Sequence, residues 1–296
     1  MSTQPLQPIL AIPPISTAVR AAVATFLMCP PRLYEVDYVI NPWMIGNVHA
    51  ASRERATAQW QQLYAAVSQV ATVVLVEPQP GSPDMVFTAN AGLERNGIVA
   101  LSSFFHPERQ AEEHHFRHWF QAAGYIVLDI PRETPFEGEG DALFSADGSR
   151  LWAGNGPRSV SGSHHHLAAA WNVEVTPLDL VDPRFYHLDT CFAPLSDGSV
   201  MYYPGAFAHH SLKQIEAFYP PQSRIIVTEV DATHFACNVI NVDRTLILNK
   251  ISAPLNDQLV LRGFHVIQID LSEFLKAGGA AKCLVMRLSR TPTPIF

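Results

Sequence analysis

No run of apolar residues in this 296-residue chain reaches the length needed to span a bilayer as a helix. Its 20 Lys and Arg residues are scattered rather than clustered. With 27 acidic residues and a net charge of −7, that argues against a nucleic-acid-binding face. The four cysteines, Cys29, Cys191, Cys237 and Cys283, form neither a Cys-x-x-Cys pair nor a dense framework, so a reduced, cytoplasmic compartment is expected. No Gly/Ser linker or block of like charge divides the chain, which argues for one closed domain over residues 21–296. Residues 1–20 read as an N-terminal extension, partly disordered. Their first part (MSTQPLQPILAIPP) is Pro-rich and lacks the basic region of a signal peptide. The 48% hydrophobic content is enough to bury a full core.

What the chain does have is an internal repeat. Strand–turn–strand signals recur at Asn96-Gly97, Asp147-Gly148, Asp197-Gly198 and Asp243-Arg244, so successive turns fall 51, 50 and 46 residues apart. Asx-Gly flanked by alternating apolar residues is the strongest short-range hairpin signal, and a period near 50 marks an internal repeat. Each hairpin is followed by a helix and a further strand: helix Pro107 to Ala123 and strand Tyr125–Ile130, then helix Val160–Trp171 and strand Val173–Pro177. The third and fourth units continue with helix His209–Phe218 and strand Arg224–Val230, then helix Pro254–Arg262 and strand His265–Asp270. A fifth unit is split between the ends, with strand Tyr34–Ile40, helix Ala51–Val70 and strand Thr72–Val76 completed by strand Cys283–Leu288. Pairing the last strand with the first repeat closes a ring and removes open edges. The expected fold is therefore α/β, five ββαβ units about a pseudo-fivefold axis. An ordinary open sheet would need βαβ crossovers in place of hairpins.

Polar residues collect just ahead of the hairpins, where repeats about an axis would bring them together. Cys283 follows Gly278-Gly279, where backbone can approach a ligand closely. With an unperturbed pKa of about 8.5 it needs a cationic neighbour or substrate to act as a nucleophile; the alternative is a buried structural cysteine, the fate expected of Cys191 and Cys237 in mid-strand. In YHLDTCF, His187 and Asp189 would share one face of an extended segment, so Asp189 could orient the imidazole or meet the same ligand; a single histidine can equally be a surface or core residue. Glu137, Glu139 and Asp141 lie in FEGEGDALF, where acids could hold a cation or form a polar loop. Asp84 and Asn90 (PDMVFTANAG), Asn41 (INPWM), Arg109 (HPERQAE) and Arg158 (GNGPRS) complete a set suited to a small substrate, cationic at one end and anionic at the other. The His164–His166 tract reads as a solvated helix start rather than a metal site, because three adjacent residues cannot face one ion on a helix.

From about Cys29 to Arg290, the ordered motifs PDMVFTAN, FEGEGDALF, YHLDTCF and the Gly-rich approach to Cys283 resemble the guanidino-group-modifying enzymes. Their fold is the five-bladed α/β propeller called the pentein. The resemblance implies that Cys283 attacks a guanidino carbon, His187 moves protons, and Glu137 holds the guanidinium and the histidine with Asp141 in support. Asp84 would contact substrate, while Arg109 and Arg158 would take its carboxylate. Two departures stand out. Asn90 occupies the place of a guanidinium-binding aspartate, and the extra residue in FEGEGD leaves Glu137 and Glu139 competing for one role. MCPPRLYEVDYVINPWM together with FTANAGL is similar to the arginine dihydrolases, which implies conversion of arginine to ornithine, carbon dioxide and ammonia without metal or organic cofactor. Because the chain stops after the first module of those proteins, it is expected to release ornithine itself. A charged aspartate makes bonds worth about 1.5–3 kcal/mol, against about 1 for an amide, so Asn90 would hold a neutral ureido group with less bias towards a cation. The alternatives within the superfamily are a single-round deiminase or dimethylarginine hydrolase, an amidinotransferase and a non-catalytic propeller that binds a partner. A papain-like protease would carry its cysteine before its histidine, the reverse of the order here. Expected partners are thus a small guanidino substrate, no nucleic acid and no membrane, with a homo-oligomer left open.

Overall fold

The computed structural model describes residues 24–292, so the expected extension at 1–20 lies outside the described residues. The first unit holds β1 (Thr25–Met28), α1 (Arg53–Ser68) and β2 (Thr72–Leu75). The second holds β3 (Gly92–Arg95), β4 (Ile98–Leu101), α2 (Gln110–Ala122) and β5 (Ile126–Leu128). The third holds β6 (Ala142–Phe144), β7 (Arg150–Asn155), α3 (His164–Trp171) and β8 (Glu174–Asp179). The fourth holds β9 (Phe192–Pro194), β10 (Val200–Tyr202), α4 (His209–Phe218) and β11 (Arg224–Ile226), then the short α5 (Glu229–Thr233). The fifth holds β12 (Ile240–Val242), β13 (Thr245–Leu248), α6 (Ala253–Leu261) and β14 (His265–Gln268). The one-turn α7 (Ser272–Leu275) and β15 (Met286–Leu288) end the described chain.

Among the described residues these strands form five three-stranded sheets. Four repeat one plan: an antiparallel hairpin whose second strand pairs in parallel with the strand that follows the helix. The fifth sheet is assembled from both ends of the chain. β15 runs antiparallel to β1, with Thr25 opposite Leu288, and β1 runs parallel to β2.

Turn chemistry accounts for the hairpins. Asn96 (φ 56°) and Gly97 (φ 81°) supply the two left-handed residues of a tight turn whose twist matches the strands it joins. In the third and fourth units an aspartate carboxylate takes over: Asp147 Oδ1 accepts from Ser149 N at 3.1 Å, and Asp197 Oδ1 from Ser199 N at 2.9 Å. On α1, Ser52 caps the N-terminus, and Ala56, Trp60, Leu63 and Val67 turn one stripe towards the core.

Several sequence expectations need correction. Tyr34–Ile40 alternates inward and outward, with Tyr34 and Val36 buried, but it is not a strand. Pro31 opens a 3-10 turn there, and Val36 O is taken by His49 N, so the segment packs without joining a ladder. The real strand is Thr25–Met28, buried along its whole length and so without the alternation that betrays a half-exposed strand. The strand expected over Arg224–Val230 stops at Ile226, since Thr228 caps α5. Cys191, Cys237 and Cys283 each stand in a turn ahead of a strand rather than within one. His164 is buried against Gly154 O rather than solvated.

Candidate active site

Each repeat reaches its first strand through a tight 3-10 or turn segment, and these segments carry the polar groups inward. Cys283 lies three residues ahead of β15. Its N–H donates to Asn238 Oδ1 at 3.0 Å, while Asn238 Nδ2 donates to Cys283 Sγ at 3.1 Å and to Asp189 O at 3.2 Å. Asp189 Oδ2 and Oδ1 stand 3.6 and 3.8 Å from the sulfur. Burial, then the neighbouring Asp189, pushes the Cys283 thiol far above its ordinary range. Burial likewise pushes Asp189 up to about 7 against the attraction of Lys282. Two adjacent buried anions are disfavoured, so at neutral pH the pair holds at least one proton.

A second cluster surrounds Glu137. Its Oε2 accepts from His187 Nε2 at 2.7 Å and from Arg158 Nη1 at 2.9 Å, and its Oε1 accepts from Phe105 N at 3.2 Å. Burial alone would raise this carboxyl; Arg158 and His187 outweigh it and hold Glu137 well below the usual range. Ser159 ties the cluster together, accepting from Glu137 N and donating to Asp141 Oδ2. Asp141 Oδ1 in turn accepts from Leu188 N, which fixes the backbone beside His187. Burial raises Asp141 to about 6.

In the third cluster, Arg109 makes two parallel bonds to Glu112, at 2.9 and 2.8 Å, and a third from Nη1 to Asn90 Oδ1 at 2.8 Å. Asn90 Nδ2 donates to Glu137 O at 3.3 Å, so this amide bridges two clusters. Asp84 accepts from Tyr38 through Oδ2, while its buried Oδ1 has no partner and its carboxyl is raised by burial.

Asn41, Asp84, Asn90, Arg109, Arg158 and Cys283 line one narrow cleft of about 10 Å³. Glu137 and His187 stand behind Arg158 and Asp189 behind Cys283, all buried. Three expectations are revised. Asp141, expected to bind substrate, does not line the cleft but braces it. Asp189 does not orient His187: the 3-10 turn Leu188–Thr190 breaks the extended geometry, and Glu137 takes that place. Glu139, the rival of Glu137, points elsewhere and pairs with Lys282 Nζ at 2.6 Å. Arg109 lines the cleft with most of its fork filled by Glu112, whereas Arg158 spends one bond on Glu137 and one on Ile40 O.

Asn238, Glu112 and Tyr186 escaped the sequence reading. Asn238 had a signal: an aromatic residue stands three positions before a polar one in four of the five repeats, at Phe87/Asn90, Phe136/Glu139, Tyr186/Asp189 and Phe235/Asn238. Among the described residues, the one His/acid group spaced to share an ion is Glu35, Asp37 and His49, outside the cleft.

A family profile described as N,N dimethylarginine dimethylhydrolase, eukaryotic, matches residues 38–290. The chain is 54% identical over 264 residues to the bifunctional arginine dihydrolase/ornithine cyclodeaminase AgrE of Nostoc sp., covering 89% of this chain but 38% of that protein. It thus spans little more than a third of that relative's length. It is 37% identical over 265 residues to the N(G),N(G)-dimethylarginine dimethylaminohydrolase of Mycobacterium tuberculosis, covering 89% of this chain and 85% of that one. The crystal structure of a single-residue variant of the N-terminal domain of ArgZ, the bifunctional enzyme of the same description from Synechocystis sp., holds a covalently bound reaction intermediate. It matches with a TM-score of 0.89 at 52% identity, covering 92% of this chain and 100% of that one. Motifs, fold and comparisons agree that the chain belongs to the dimethylarginine dimethylaminohydrolase family of guanidino-group-modifying enzymes.

Proposed function

We propose that the chain is an arginine dihydrolase, converting arginine and two waters to ornithine, carbon dioxide and two ammonia molecules. The observation that carries this reading is Asn90. A neutral amide, not a carboxylate, stands in the cleft between the Arg109 guanidinium and the Glu137 backbone. Such a group holds a guanidinium and a ureido group with little bias between them.

In this reading the unpartnered Asp84 Oδ1 accepts a cationic end of the substrate, and the N–H groups that Arg158 has left take its carboxylate. The approaching guanidinium offsets the burial and the Asp189 charge that keep the thiol protonated. Sγ then bonds to the guanidino carbon and the thiol proton passes to Asp189. His187, oriented by Glu137, protonates the departing nitrogen, and ammonia leaves. Water activated by the same histidine displaces the sulfur and gives citrulline. In the second round Sγ adds to the ureido carbon and expels the other ammonia. Hydrolysis of the thiocarbamate leaves a carbamate that loses carbon dioxide to give ornithine.

The pairing of β15 with β1 supports a closed five-bladed propeller, with residues 21–296 acting as one catalytic domain. We place the activity in the cytoplasm, where four unpaired cysteines are at home. The match to a dimethylarginine hydrolase profile favours a second reading, one round of hydrolysis that stops at citrulline. Product analysis separates the two. Wild type should yield ornithine with two ammonia molecules per arginine. Asn90→Asp should shift the products towards citrulline and one ammonia, by about two- to thirty-fold if the difference of about 0.5–2 kcal/mol between a charged and a neutral bond sets the partition. Citrulline as the sole wild-type product would leave the single-round reading standing.

A further inference from the structure

A second cavity, of about 470 Å³, lies behind the nucleophile and shares no lining residue with the cleft. The first strands of the hairpins wall it, through Leu93, Ala142, Ala193 and Ile240. Its inner end is formed by Asp189, Lys282 and Glu139. Asp189, which lines this end, stands 3.6 Å from the Cys283 sulfur. Its other end carries the exposed residues Ala146, Asp147, Ser196 and Arg287. The Lys282–Glu139 ion pair, at 2.6 Å and with side chains 13% and 7% exposed, sits across the inner end.

The proposed reaction sets a traffic problem. In each round one water enters and one ammonia leaves, yet the amino acid must stay in the cleft between rounds. The cleft is narrow, so an amino acid seated in it would obstruct that way out. We propose that the rear chamber is the route by which water enters and ammonia leaves while the amino acid remains in the cleft, with the Lys282–Glu139 pair as its inner gate. This rests on the dihydrolase reading. Asp189 lines the chamber and reaches the Cys283 sulfur, so the proton it takes from the thiol can pass to ammonia entering the chamber, and Glu139 beside it attracts the ammonium that results. The chamber's polar mouth then carries the cation to solvent.

The test closes the far end without touching the catalytic groups. All four native cysteines are buried, so Ala146→Cys adds an exposed thiol that a bulky aryl disulfide reagent labels reversibly. Wild type treated alike is the control, and Ser196→Cys places a cap on a second rim position. Capping should lower kcat by about tenfold or more while leaving KM for arginine unchanged, because product release rather than binding is obstructed. Capping should also make the enzyme more sensitive to added ammonium, and reductant should restore both values. An unchanged kcat with both capped variants overturns the route. A raised KM with unchanged kcat overturns it too, by making the chamber a path for the amino acid. Products of the uncapped variants test the dihydrolase reading separately: citrulline with one ammonia removes that reading, and the effect of the cap on release of that single ammonia still decides the route.

Discussion

Replacing Asp189 by asparagine should stabilise the protein, and increasingly so as pH rises. Burial moves this carboxyl from 3.8 to about 7. A folded pKa above the unfolded one means that the folded state binds the proton more tightly. The contribution of Asp189 to stability is therefore fully present below about pH 4 and is lost as pH rises through about 7. A gap of about three units, at about 1.4 kcal/mol each, makes the ionised carboxylate cost about 4 kcal/mol at alkaline pH. Asparagine keeps the shape and an acceptor for the Cys283 thiol but cannot ionise, so it escapes that cost. Between about pH 5 and pH 8 the advantage of the variant should grow by about 2–3 kcal/mol. Urea unfolding of both proteins across that interval measures it, and titrations common to the two cancel in the difference. A flat difference, or a variant less stable at pH 8, would show that Lys282 holds Asp189 ionised and refute the reasoning. Turnover should be lost in the same variant, because the thiol loses its proton acceptor.

Three further outcomes are expected. Cys283→Ser should abolish turnover with the fold intact, and substrate quench of the parent protein should leave a covalent adduct at Cys283 by peptide mass analysis; an adduct at Cys29, Cys191 or Cys237 would move the nucleophile. Arg158→Ala should cost about 3–5 kcal/mol in denaturant unfolding, because Glu137 is left buried without its cation, and it should impair agmatine as well as arginine, arginine the more because its carboxylate contact is lost too; agmatine spared would mean that Arg158 serves only the substrate carboxylate. Gly140→Ala should lower turnover sharply with native circular dichroism, since the added Cβ would lie 2.3 Å from Asn90 Nδ2 and 3.3 Å from the His187 ring; near-normal rates would show that Asn90 can move without consequence.

The hairpins were legible because Asn96-Gly97 and the Asp-Gly turns declare themselves by local chemistry alone. Thr25–Met28 was not, because a strand buried on both faces has no period to detect. Cys283, Asn90, Asp84 and Arg158 line one cleft, and His187 stands behind Arg158 on Glu137. The roles within FEGEGDALF could not be divided in the same way. Glu137 and Glu139 are two acids two residues apart, and a 3-10 turn with Gly138 at φ 61° sends one to Arg158 and the other to Lys282. In the sequence Glu112 is one of two acids in the first turn of a helix; only tertiary structure reveals that it fills the fork of Arg109.

On the dihydrolase reading proposed above, the buried charges account for the selection of a cation and set a problem in keeping the product. Asp84, Glu112, Glu137, Glu139, Asp141 and Asp189 are all buried, whereas the cations paired among them are Arg109, Arg158 and Lys282. The shortage appears in the carboxyls themselves: burial raises Asp84, Glu112, Asp141 and Asp189, and of the cleft-side acids Glu137 alone is held low, by Arg158 and His187. On that reading a guanidinium would supply the missing positive charge, which would favour arginine over a neutral amino acid of the same length. Once the first ammonia has gone, that charge has gone too, and a site tuned only to cations would release the ureido product. Asn90 is the cleft group on the guanidinium side that demands no charge, held by Arg109 on its oxygen and by the Glu137 carbonyl on its nitrogen. Two rounds therefore need two properties in one cleft: an acidic surround that draws the cation in, and a fixed neutral amide that does not let go when the cation becomes neutral.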